Sequence, residues 1–203
     1  MSSSDARLLA AFQALTRDPD TPTLDAHRLH GLPVLVHNSR PDIETALALT
    51  RLDQALGLIA HYTPDRFARL PEDFAAILVR RYPCRAAFYP DLGICLIELT
   101  FLVHPDITPA QVGASIVHEA VHARLGAAGP RDGSKAAAAE EERLCREAEI
   151  EFGLLVPGGE AVVERARAAL ALEDDEVAPT IDWRLAAERV AEVDRRHPHG
   201  PGQ

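Results

Sequence analysis

Near the middle of the chain, His118, Glu119 and His122 form the pentad His118-Glu119-Ala120-Val121-His122, a spacing suited to metal-assisted hydrolysis. On a helix, two histidines four residues apart stand one turn apart on one face and can hold a single tetrahedral metal ion. Glu119, one residue on, is turned about 100° around the helix axis. Its carboxylate then reaches a zinc-bound water rather than the metal itself. Zinc lowers the pKa of that water toward ~7, and Glu119 is the general base expected to take its proton. The expected cofactor is one Zn2+ per chain.

This chemistry needs a helix beneath the pentad and a third ligand beside it. Thr108-Pro109-Ala110-Gln111 supplies a helix start: an N-cap Thr, Pro at the first position and Gln three residues after the cap. The spacing predicts a helix from Pro109 to about Leu125, stopped by Gly126. Apolar neighbours Ile116, Val117, Val121 and Leu125 half-bury the pentad, where imidazoles and a carboxylate are costly unless satisfied. The longer pattern HExxHxxGxxH fails, because Leu125 and Ala128 stand where its Gly and third His belong. The third ligand is therefore expected from the next helix, Lys135 to about Phe152, closed by Gly153. Its apolar stripe includes Cys145, Ala148 and Phe152. Glu142 and Glu141 precede Cys145 by three and four residues, so either can face inward. Glu149 continues that face as a structural partner to the ligands, and Cys145 reads as core.

These residues resemble the gluzincin class of zinc metallopeptidases, in which HExxH is followed about 20 residues later by a ligand Glu on a second helix. The resemblance implies Glu142 as the third ligand, ahead of Glu141. Glu147-Ala148-Glu149 and Phe152-Gly153-Leu154-Leu155-Val156-Pro157 are also similar to the tail of ImmA/IrrE-type metallopeptidases, with one extra residue before Phe. A strict match there would make Glu147 the ligand. The resemblance spans roughly residues 94–157. It implies a zincin-like α+β fold: a small mixed or antiparallel sheet packed on the HExxH helix and on the helix bearing the third ligand. In it, the strand from Ile94 to Val103 would be the edge strand that lines the cleft and pairs with an extended peptide. Tyr62, Tyr82, Tyr89 and Arg124 are the available donors to a transition-state oxyanion.

The rest of the chain sets limits. Its 203 residues are 47% apolar, enough for one domain with its own core. We expect that domain over residues 1–157, with C-terminal helices over 158–203 packed on it and a frayed tail from about 197. Acids outnumber bases 31 to 21, which argues against a nucleic-acid or anionic-membrane partner and leaves a peptide or protein substrate. The three cysteines form no CxxC pair, so no disulfide framework or cysteine-type zinc knuckle is indicated. No signal peptide or membrane-spanning run is evident, and the Arg- and Ala-rich composition suits a bacterial cytoplasmic protein.

Helices are expected at Asp5–Leu15, Ile43–His61, Thr63–Leu70, Glu160–Leu172 and Asp182–Arg196, with Trp183 anchoring the last. Residues Pro19–Leu29 read as loop and Pro33–His37 and Ala76–Val79 as strands. Ala86–Tyr89 and Ile94–Val103 read as a hairpin with Cys95, Ile97, Leu99, Phe101 and Val103 on one face and a solvent-facing Glu98 on the other. His27, His30, His37, His61 and His104 lack metal spacing. The leading functional expectation is a zinc metallopeptidase. The alternatives are a non-catalytic metal-stabilised interaction module and a regulatory peptidase dedicated to one partner protein.

Overall fold

The computed structural model describes residues 24–129, 132–178 and 182–196. The expected helix at Asp5–Leu15, the tail from His197 and the side chain of Trp183 lie outside the described residues.

A five-stranded mixed sheet and a layer of helices form an α+β fold. The strands are β1 (Asp25–Leu29), β2 (Leu32–His37), β3 (Ala76–Arg80), β4 (Ala86–Tyr89) and β5 (Ile94–Glu98), in the order β1-β2-β3-β5-β4. β2, β3 and β5 run parallel, and an antiparallel strand closes each side. Residues Asp25–Leu29 are thus a strand and not the expected loop. The two-residue turn His30-Gly31 explains it, with φ of 49° and 86°. Positive φ at both positions gives the tight twist that hairpins favour, and it brings Leu29 opposite Leu32.

Helices α1 (Thr45–Tyr62) and α2 (Pro64–Asp73) fill the crossover between β2 and β3. In α1 the buried set is Ala48, Leu52, Ala55, Leu56 and Ile59, while Leu47 remains 46% exposed. The main core lies between this helix layer and the face of the sheet bearing Val34, Val36, Ile77, Val79, Cys95 and Ile97.

The second arm of the hairpin is shorter than expected. β5 ends at Glu98, and Leu99–Val103 is a short helix, α3. Apolar alternation alone would have continued the strand. The Glu98 side chain stops it by capping α3, accepting from Phe101 N at 2.6 Å and from Thr100 Oγ1 at 2.7 Å. Glu98 is therefore 4% exposed, not solvent-facing, and its other oxygen accepts from Arg81. Nor is β5 an edge strand, since β3 and β4 flank it. The edge on that side is β4.

The pentad helix α4 spans Pro109–Ala127, with Thr108 and Gln111 making the full capping box. It is followed by α5 (Lys135–Leu155), α6 (Glu160–Leu170), α7 (Asp174–Val177) and α8 (Trp183–Arg196). Three glycines set how these helices cross. A Cβ on Gly113 of α4 would stand 2.9 Å from Phe152 Cζ of α5. Gly153 does not end α5 as expected but lies inside it, because Gly159 at the head of α6 rests against it. A Cβ on Gly159 would fall 2.0 Å from the Gly153 carbonyl oxygen. Among the described residues, no helix is long and apolar enough to cross a membrane.

Candidate metal centre

His118 and His122 project from α4 toward α5, and their Nε2 atoms face each other at 3.1 Å. Each ring is held from behind. His118 Nδ1 meets Glu149 Oε1 at 2.8 Å, and His122 Nδ1 meets Glu141 Oε1 at 2.6 Å. A carboxylate only accepts, so both Nδ1 atoms carry the proton and donate. The two Nε2 atoms then face one small space, an arrangement that is repulsive unless a proton or a metal ion sits between them. Charge in the site favours such a cation. Burial works against a proton on His122, but its contacts with Cys145 and Glu142 and the nearby charge of Glu119 raise its affinity above the ordinary imidazole value.

Two side chains of α5 approach the pair. Glu142 lies with Oε2 3.5 Å from His118 Nε2 and Oε1 3.3 Å from His122 Nε2. Burial disfavours its charge, yet His122, His118 and Arg146 together hold its pKa below the usual carboxylate range. Cys145 is buried, and one donor atom each from His118, His122 and Cys145 lie within 4.8 Å of one another. These three residues form a possible metal-binding triad. The thiol was read from the sequence as core alone; its place three residues after Glu142, on the same helix face, was the signal available.

The donor set fits a tetrahedral divalent ion. Bonds of about 2.0–2.1 Å at tetrahedral angles separate ligand atoms by about 3.3 Å. The two Nε2 atoms are 3.1 Å apart, and each has a Glu142 oxygen close to that spacing, Oε1 at 3.3 Å from His122 and Oε2 at 3.5 Å from His118.

Glu119 is 5% exposed and lines the same cleft. Burial is the main cause raising its pKa, and the charge of Glu142 adds to it against the opposing pull of His118 and His122. The other sequence candidates disperse. Glu147 is exposed. Arg124 is committed to Asp73 at 2.8 Å, and Tyr82 stacks edge-on with Tyr89. None of Tyr62, Tyr82, Tyr89 and Arg124 lines the cleft, which has a volume of about 860 Å3.

Its walls hold residues the sequence did not single out. Ala86, Ala87 and Phe88 of β4 form one side, so the edge strand, rather than β5, borders the site. Arg85, Arg146 and Arg165 line it as well. Arg146 Nη1 donates to Glu149 Oε1 at 2.6 Å and Arg165 Nη2 to Glu149 Oε2 at 2.9 Å. Comparison of the chain with protein-family models, curated proteins and solved structures finds no match to any of them.

Proposed function

We propose that the chain is a zincin-like, zinc-dependent peptidase of the gluzincin type. One observation carries the reading: two imidazole Nε2 atoms 3.1 Å apart, both with Nδ1 engaged by a carboxylate and with Glu142 across from them. In this reading His118, His122 and Glu142 hold one Zn2+. When bound, zinc supplies a Lewis acid that polarises a carbonyl and makes water acidic near neutral pH. Glu119, its proton affinity raised by burial, accepts the proton of the attacking water and passes it to the leaving amine. The free side of β4 gives an extended peptide a strand to pair with, beside the pentad.

The test is metal analysis of the purified protein together with two variants. Wild type is expected to carry one zinc per chain and His118→Ala none. Glu119→Gln is expected to keep the metal and lose peptide hydrolysis by at least 10²-fold. Wild-type metal content in His118→Ala, or a wild-type rate in Glu119→Gln, would falsify it.

A second reading draws on Cys145. If Glu142 and Cys145 both bound the metal, four protein ligands would close the site, as in structural zinc centres. The chain would then be a metal-stabilised interaction module. A peptidase dedicated to one partner would instead cleave that protein in a lysate while ignoring generic peptides.

A further inference from the structure

Beside the metal centre, three guanidiniums gather on one wall of a cleft that Glu119, Glu141, Glu142 and Glu149 also line. Arg146 of α5 and Arg165 of α6 share one carboxylate, Glu149, which also accepts from His118. Glu142 is 3.6 Å from Arg146 and belongs to the histidine pair. Arg85, just before β4, brings a third guanidinium, whose Cζ lies 5.7 Å from the Phe101 ring centre. After burial, the like charge of Arg165 lowers its pKa, against the opposing charge of Glu149 and with a further lowering by Arg146, so the three guanidiniums lie within one another's field. Donors are also left over. Among the described residues, no acceptor is within reach of Arg146 Nε or of Arg165 Nε and Nη1, all of them buried. Buried guanidinium N–H groups without partners are costly, and an anion that reaches them removes that cost.

Resting on the peptidase reading, we propose that Arg85, Arg146 and Arg165 form a subsite for a substrate carboxylate, so that the preferred peptides carry an anionic group close to the bond cleaved. The carboxylate is the anion that an unmodified peptide bears, and its planar pair of oxygens matches the guanidinium fork. It has two sources, a C-terminal α-carboxylate and an Asp or Glu side chain.

Calorimetric titration of the purified protein with four acetylated pentapeptides tests the subsite and separates the sources. They are pentaalanine acid, pentaalanine amide, and two amides with a central Glu or a central Gln. At least one anionic peptide is expected to bind about tenfold more tightly than its neutral counterpart. Preference for the acid assigns the α-carboxylate, and preference for the Glu amide assigns a side chain. Arg165→Met is expected to cut the preference below threefold. Should that variant not fold by circular dichroism, Arg85→Met, which breaks no ion pair with a carboxylate among the described residues, takes its place with the same expectation. Equal binding of charged and neutral peptides, no binding of any of them, or a preference unchanged in the folded variant overturns the proposal. The readout is affinity and not rate, so a failed Glu119→Gln experiment would sink the catalytic reading and leave this result standing.

Discussion

Glu149 ties His118 to Arg165: one of its oxygens accepts from the imidazole Nδ1 at 2.8 Å and the other from the guanidinium at 2.9 Å. The carboxylate that orients a proposed metal ligand on α4 is thus itself positioned by α6. Replacing Glu149 with Gln should leave the fold intact but loosen the ring, lowering metal affinity about 10- to 100-fold. Competition with a chelator of known strength would measure it. Wild-type affinity in that variant would mean that His118 needs no such support.

The same carboxylate should make the metal-free protein sensitive to acid. Burial opposes its charge, but the hydrogen bond from His118 and the charges of Arg146 and Arg165 prevail and hold its pKa at about 2. In the unfolded chain a Glu titrates near ~4.3. The folded state therefore binds the proton less readily, and the stabilisation is complete above ~4.3 and lost as pH falls toward 2. The difference is on the order of 3 kcal/mol. Urea unfolding at pH 6 and pH 3 should show a little over half of this loss in wild type and a clearly smaller one in Glu149→Gln.

Cys145 and Glu142 can be separated by substitution. If Glu142 completes the site, Cys145→Ala keeps one metal ion per chain after dialysis and Glu142→Ala loses it. The reverse pattern would identify a thiolate ligand, and loss in both would favour the closed, non-catalytic centre.

Glu98 is the buried carboxylate on which the end of β5 depends. Glu98→Ala removes the α3 cap and the Arg81 ion pair together, and should cost about 3 kcal/mol or more in denaturant unfolding. Arg81 also holds Asp194 of α8 at 3.0 Å. Amide exchange in α8 should therefore rise in this variant. Unchanged exchange there would show that α8 is held by other contacts.

What the sequence revealed divides by the range of the interaction. The capping box of Thr108 and Gln111 lies within four residues, and the pentad within five, so both were legible. The strand Asp25–Leu29 was not. Its side chains are largely exposed, and it exists because His30-Gly31 folds it back on β2. Leu99–Val103 carries a strand's alternation, and only Glu98, with Arg81 arriving from seventeen residues upstream, turns it into a helix. At the site, adjacent glutamates could not be told apart by periodicity. Glu141 takes the outer nitrogen of His122 and Glu142 faces the inner pair. Arg85, Arg146 and Arg165 had no signature in the chain, because they meet only once β4, α5 and α6 are packed around the cleft.

The crossing of Gly153 and Gly159 has a mutational consequence. At Gly159 the main chain lies directly on that of α5 at Gly153, with Val162 and Val163 of α6 packed beside the contact. Ordinary core drift, in which one methyl group is gained where another is lost, has no side chain to work on at the Gly159 contact itself. Arg165, six residues beyond Gly159, is held in register with Glu149 by that backbone contact. The cationic wall and the histidine pair should consequently keep their spacing through changes in the surrounding core, while a side chain at position 159 would displace both at once.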